Sequence, residues 1–129
     1  MRGKILVVDD DADFRMQLRL QLRHAGFDVV LAESIEEALE VFEEAQPDLA
    51  IVDCMMQKAD DGLVLCHILK GLRPRLPIIM VTSVTQKTRI DLGAVTDEER
   101  AWVKADLLMH KPVRLEALKS EIDRLLPSV

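Results

Sequence analysis

The sequence predicts a doubly wound α/β fold, a parallel sheet covered by helices on both faces. Three observations carry this. Short, apolar, β-branched-rich runs recur along the chain: Ile5–Val8, Leu49–Val52 and Ile78–Val81. Such runs read as buried parallel strands. Amphipathic helical stretches lie between them, and strands alternating with helices imply crossover connections. Each run also ends in polar groups: Asp9, Asp10 and Asp11 after the first, Asp53 after the next, Thr82 and Ser83 after the third. In a parallel sheet all these ends share one edge.

The elements follow in order. Ile5–Val8 is the first strand. Asp13 to His24 reads as a helix, capped by Asp11 and stopped at Ala25-Gly26, a C-terminal glycine signal. Its inner stripe is Phe14, Leu18, Leu22 and Ala25. Met16 and Leu20 fall on the other side among Arg15, Arg19 and Arg23, a face that suits a partner helix or simple exposure. Asp28 to Ala32 is the second strand. Ser34 caps the next helix, Glu37 completes a capping box, and Ile35, Ala38, Leu39 and Phe42 face inward. Pro47 closes the loop before the strand at Leu49. Gly62 opens a helix that runs to about Leu72, with Asp60 and Asp61 serving the turn and N-cap. Pro77 precedes the strand at Ile78. Thr96 and Glu99 form a capping box for a short helix from Asp97. Leu107–Lys111 is the fifth strand, and Leu115, Leu118, Ile122 and Leu125 mark the last helix.

Composition bounds the function. The chain has 129 residues, 49% of them apolar and 31% charged, which suits one domain over residues 1–129 with one extended segment at about 84–106. A formal charge of −6 argues against unaided binding to nucleic acid or anionic membrane. No run is long enough to span a bilayer, and the first strand is too short for a signal-peptide core. Cys54 and Cys66 sit in apolar segments and read as reduced core residues of a cytoplasmic protein. His24, His67 and His110 lack metal-ligand spacing.

The shared edge holds the chemistry. Crowded carboxylates call for a divalent cation, and a hydroxyl with a lysine calls for an oxyanion, of which phosphoryl fits best. The segments VVDDD, IVDCMM, MVTS and HKP, in that order and each at a strand end, resemble those of receiver domains of bacterial two-component response regulators. The likeness covers nearly the whole chain. It implies a flavodoxin-like (βα)5 fold with strand order 2-1-3-4-5. It implies that Asp53 is the phosphoacceptor, assisted by Thr82 and Lys111. Mg²⁺ would be held by Asp9, Asp10, Asp53 and the backbone carbonyl of Met55. The phosphodonor would be a sensor histidine kinase or a histidine phosphotransfer protein. The protein would catalyse only its own phosphorylation and slow self-dephosphorylation, with no direct nucleic acid or membrane partner. A stand-alone receiver is expected; a phosphorelay intermediate or the front part of a longer regulator are the alternatives.

Departures from the family pattern set further expectations. The loop after Asp53 lacks the usual proline at Gln57 and has one extra residue before Gly62. Leu108 stands where an aromatic residue usually takes part in the switch, and the chain has no tyrosine. The stretch from Thr82 to Lys111 is longer than usual by about seven residues, roughly two helical turns. Its Gln86–Ala105 portion, containing Trp102, is expected to order or move on phosphorylation. Met55 and Val84 are apolar and cannot orient a hydrolytic water, so the phosphorylated form should last on the order of minutes or longer. Two other functions fit less well. A haloacid-dehalogenase-type phosphatase would use Asp9 and Asp11, but Asp13 replaces its threonine. A degenerate receiver acting as an unphosphorylated binding module would not need Asp53, Thr82 and Lys111 intact.

Overall fold

A computed structural model describes residues 3–54, 61–83, 105–111 and 113–126. Five strands, β1 (Lys4–Val8), β2 (Asp28–Ala32), β3 (Leu49–Asp53), β4 (Ile78–Ser83) and β5 (Leu107–Lys111), form one parallel sheet of order β2-β1-β3-β4-β5. This is the order expected. Helices α1 (Ala12–His24), α2 (Ile35–Ala45), α3 (Asp61–Leu72) and α4 (Leu115–Leu125) flank it. The expected short helix from Asp97 lies outside the described residues.

Strand alternation divides the interior in two. Leu6, Val8, Ala50, Val52, Ile78 and Met80 point to one face, where α2 and α3 supply Ala38, Phe42, Leu65, Cys66 and Leu69. Ile5, Val7, Leu49, Ile51, Ile79 and Val81 point to the other, where α1 and α4 supply Leu18, Leu22, Leu118 and Ile122. Both faces are apolar because both are covered. Each fully buried Leu or Ile contributes roughly 1.5–3 kcal/mol relative to exposure. Leu108 sits partly buried on the α3 side.

The helix ends follow the sequence closely. Asp11 Oδ1 accepts from the backbone N–H of Asp13 (3.0 Å) and of Phe14 (3.3 Å), satisfying donors that have no intrahelical partner. Gly26 follows α1 at φ +103°, a conformation natural to glycine. Ser34 Oγ accepts from Glu37 N–H at 3.1 Å. The Glu37 carboxylate, however, accepts from Glu33 N–H rather than from the cap residue. Asp106 ties the lower end of the sheet together: its Oδ2 accepts from Ile78 N–H and from Lys70 Nζ, each at 2.8 Å.

Candidate functional site

β1 and β3 are neighbours, yet the helices that leave them pack on opposite faces of the sheet. A crevice therefore opens above their carboxyl ends, where doubly wound sheets bind ligands. Asp9 and Asp10 follow β1, and Asp53 ends β3. Carboxylate oxygens of the three lie within 4.8 Å of one another. Asp9 and Asp53 are buried and Asp10 is exposed. Lys111, at the end of β5, reaches across to them. Its Nζ is 2.9 Å from Asp9 Oδ2 and 3.7 Å from Asp53 Oδ1.

Asp9 is tightly held. Its Oδ1 accepts from Asp11 N–H at 2.9 Å, and its carbonyl oxygen accepts from Arg15 Nη1 at 2.6 Å. Burial raises the Asp9 carboxyl above its ordinary value, outweighing the bond from Asp11 and the nearby ammonium. Burial alone would depress Lys111. The hydrogen bond and charge of Asp9, with the charge of Asp53, outweigh it and raise the ammonium instead. The lysine therefore stays charged and offsets part of the crowded negative charge.

Thr82, near the end of β4, is buried. Its neighbour two residues back, Met80, lies on the α3 side with Cys54, and alternation carries Thr82 to that side too. The Cys54 thiol donates to Met80 Sδ at 3.3 Å, and the Thr82 hydroxyl beside it can donate to the sulfur. Cys54 N–H donates to Val81 O at 2.8 Å, which locks the end of β3 to β4. The first residues of α3 approach this end closely: Gly62 N–H donates to Cys54 O at 3.0 Å.

The structure thus brings Asp9, Asp10, Asp53 and Lys111 together, with Thr82 on the adjoining strand. Met55, expected to lend a carbonyl, lies outside the described residues. Asp11 is engaged as the α1 cap, as expected. Sequence reasoning missed two neighbours of the site. One is the Cys54 thiol beside Thr82. The other is the Phe14 ring, whose centroid is 4.2 Å from Lys111 Nζ. Helical periodicity placed Phe14 on the inner face of α1 but gave no sign of its position along the sheet edge.

Three strand-end acids, a hydroxyl and a lysine on a 2-1-3-4-5 parallel sheet define the receiver class of doubly wound proteins. Residues 5–123 match the family described as "Response regulator receiver domain", and the chain belongs to that family. It is 35% identical over 133 aligned positions to the response regulator MprA of Mycobacterium ulcerans (strain Agy99), covering all of this chain and 57% of MprA. It is 38% identical to the alkaline phosphatase synthesis transcriptional regulatory protein PhoP of Bacillus subtilis (strain 168), over 72% of this chain and 38% of PhoP. The chain spans about half the length of the curated relatives it matches in full. Among solved structures, a putative response regulator from Chloroflexus aurantiacus J-10-fl superposes with a TM-score of 0.81 at 30% identity, covering 99% of this chain and 100% of that one. The receiver domain of NtrX from Brucella abortus gives 0.79 at 26% identity, with 97% and 99% covered.

Proposed function

We propose that this chain accepts a phosphoryl group on Asp53 from a phosphohistidine of a sensor kinase or phosphotransfer protein, in two-component signalling. The observation that carries the reading is the convergence of Asp9, Asp10 and Asp53 on one point with the Lys111 ammonium beside them. An Asp53 carboxylate oxygen attacks phosphorus, the phosphorus–nitrogen bond to the donor imidazole breaks, and the imidazole nitrogen keeps the electron pair. A carboxylate has no proton to lose, so no general base is required. Lys111 leaves Asp9 to pair with one phosphoryl oxygen, and Thr82 leaves Cys54 to donate to another.

The acid trio fits Mg²⁺. Its donors are all hard oxygens, and their crowded charge favours a divalent cation over none. Asp9, Asp10 and Asp53 would hold the ion, which supplies positive charge against the transferring phosphoryl group. We include the Met55 carbonyl in that set on the strength of the family likeness.

Intact-mass measurement with Mg²⁺ and acetyl phosphate tests the reading. Wild type gains one phosphoryl mass and Asp53→Asn does not. Equal uptake by both proteins would sink the assignment.

A further inference from the structure

Phe14 belongs to α1, three residues beyond the Asp11 cap. Its side chain is partly buried against the α1–α4 core. Lys111 Nζ is 4.2 Å from its ring centroid. The same ammonium is 2.9 Å from Asp9 and 3.7 Å from Asp53. It therefore has three electron-rich neighbours, two carboxylates and one aromatic ring. The ring face carries a negative quadrupole and attracts a cation, more strongly where solvent is partly excluded. Lys111 is mostly shielded, with its side chain 22% exposed.

Both oxygens of Asp9 are engaged. Oδ1 accepts the Asp11 N–H and Oδ2 accepts Lys111. A divalent cation arriving at Asp9 is repelled by the ammonium already there. Metal entry and the Lys111–Asp9 contact thus compete, and whatever stabilises the lysine in place weakens the metal by the same factor.

We propose that Phe14 is a positioning residue whose ring seats the Lys111 ammonium on Asp9 in the resting protein and so sets the affinity of the acid trio for a divalent cation. This rests on the reading that the trio holds Mg²⁺. The seat itself exists without metal, so it has a readout of its own.

The test uses the full chain. In metal-free protein, the ε-methylene next to an Nζ held 4.2 Å from the ring centroid is expected to give upfield-shifted NMR signals in wild type and in Phe14→Tyr. In Phe14→Leu, which keeps apolar bulk but no ring, the shift disappears. Phe14→Met serves if the leucine variant does not fold. Mg²⁺ is then titrated by calorimetry. Phe14→Leu binds it about two- to fivefold more tightly than wild type, the range of a partly exposed cation–π contact, while Phe14→Tyr matches wild type. Lys111→Met also binds it more tightly, and in that background Phe14→Leu adds nothing. Unshifted Lys111 methylene signals in wild type overturn the inference. So do shifted signals with equal Mg²⁺ affinity in wild type and Phe14→Leu, or an equal effect of Phe14→Leu with and without Lys111. Shifted signals with no Mg²⁺ binding by wild type overturn it too, and in that case the fault lies with the metal reading beneath it.

Discussion

Gly62 lies so close to Asp53 that a β-carbon at position 62 would overlap the Asp53 carbonyl oxygen. The same carbon would fall 2.7 Å from the Cys54 Cα and carbonyl oxygen. These neighbours are backbone atoms of a buried strand end and cannot swing aside. Gly62→Ala therefore pushes α3 away from β3 or tilts the strand end. A loss of about 1–3 kcal/mol in urea unfolding is expected, with phosphoryl uptake at Asp53 falling in the same variant. Gly71, where a β-carbon meets nothing within 4 Å, is the control, and Gly71→Ala should be neutral or mildly stabilising.

The acid trio is held against its own repulsion, and its two key variants should move stability in opposite directions. Lys111→Met leaves Asp9 buried without its ammonium and should cost about 1–3 kcal/mol. Asp9→Asn removes a carboxylate whose ionisation is disfavoured by burial and should stabilise the metal-free protein at neutral pH. The sign with pH follows. A raised carboxyl pKa contributes stability that is complete below the ordinary value of 3.8 and is lost as pH rises through the folded value. Wild type should thus gain on Asp9→Asn as pH falls, measured by paired urea melts.

The two thiols set the alkaline limb. Burial pushes Cys66 from 9.0 up to about 12 and Cys54 up to about 11. The unfolded chain loses these protons first, so their contribution is intact below about pH 9 and lost as pH climbs toward 11–12. At pH 10 each should lower stability by about 1 kcal/mol relative to pH 7. Comparing wild type with Cys54→Ala and Cys66→Ala at both pH values checks this. A pH dependence identical in all three would refute it.

Met16 and Leu20 are 47% and 64% exposed on the outer side of α1. Replacing both with serine should change stability by no more than about 0.5 kcal/mol and leave uptake from acetyl phosphate intact. Transfer from the cognate kinase should slow if this face meets the donor. Unchanged transfer removes the face from the recognition surface.

Much of this was legible because two rules of physics coincide. Period-2 burial and parallel pairing send every strand's last residue to one edge, so Asp9, Asp53, Thr82 and Lys111 could be placed together from their strand-end positions. Capping chemistry gave the same clarity to Asp11 and Ser34. The strand order came from the family likeness, since periodicity does not rank neighbours. What stayed hidden depends on side-chain direction. The helical stripe assigns Phe14 to the core but not to Lys111. Cys54 reads as one more apolar residue, and only the alternation of two adjacent strands turns it toward Thr82. Asp106 looks like a loop acid, and its bonds to Ile78 and Lys70 arise from contacts 28 and 36 residues away.

The site's positive charge is also the last part of it to be made. The acids stand on β1 and β3, whereas Lys111 lies on β5, an edge strand paired only to β4, and 102 residues separate it from Asp9. A chain emerging from the ribosome exposes its three acids long before their counter-charge exists. Until β5 pairs with β4, the three acids lack the ammonium that offsets part of their charge. The charge balance around Asp9 thus closes only when the edge strand of the sheet is in place.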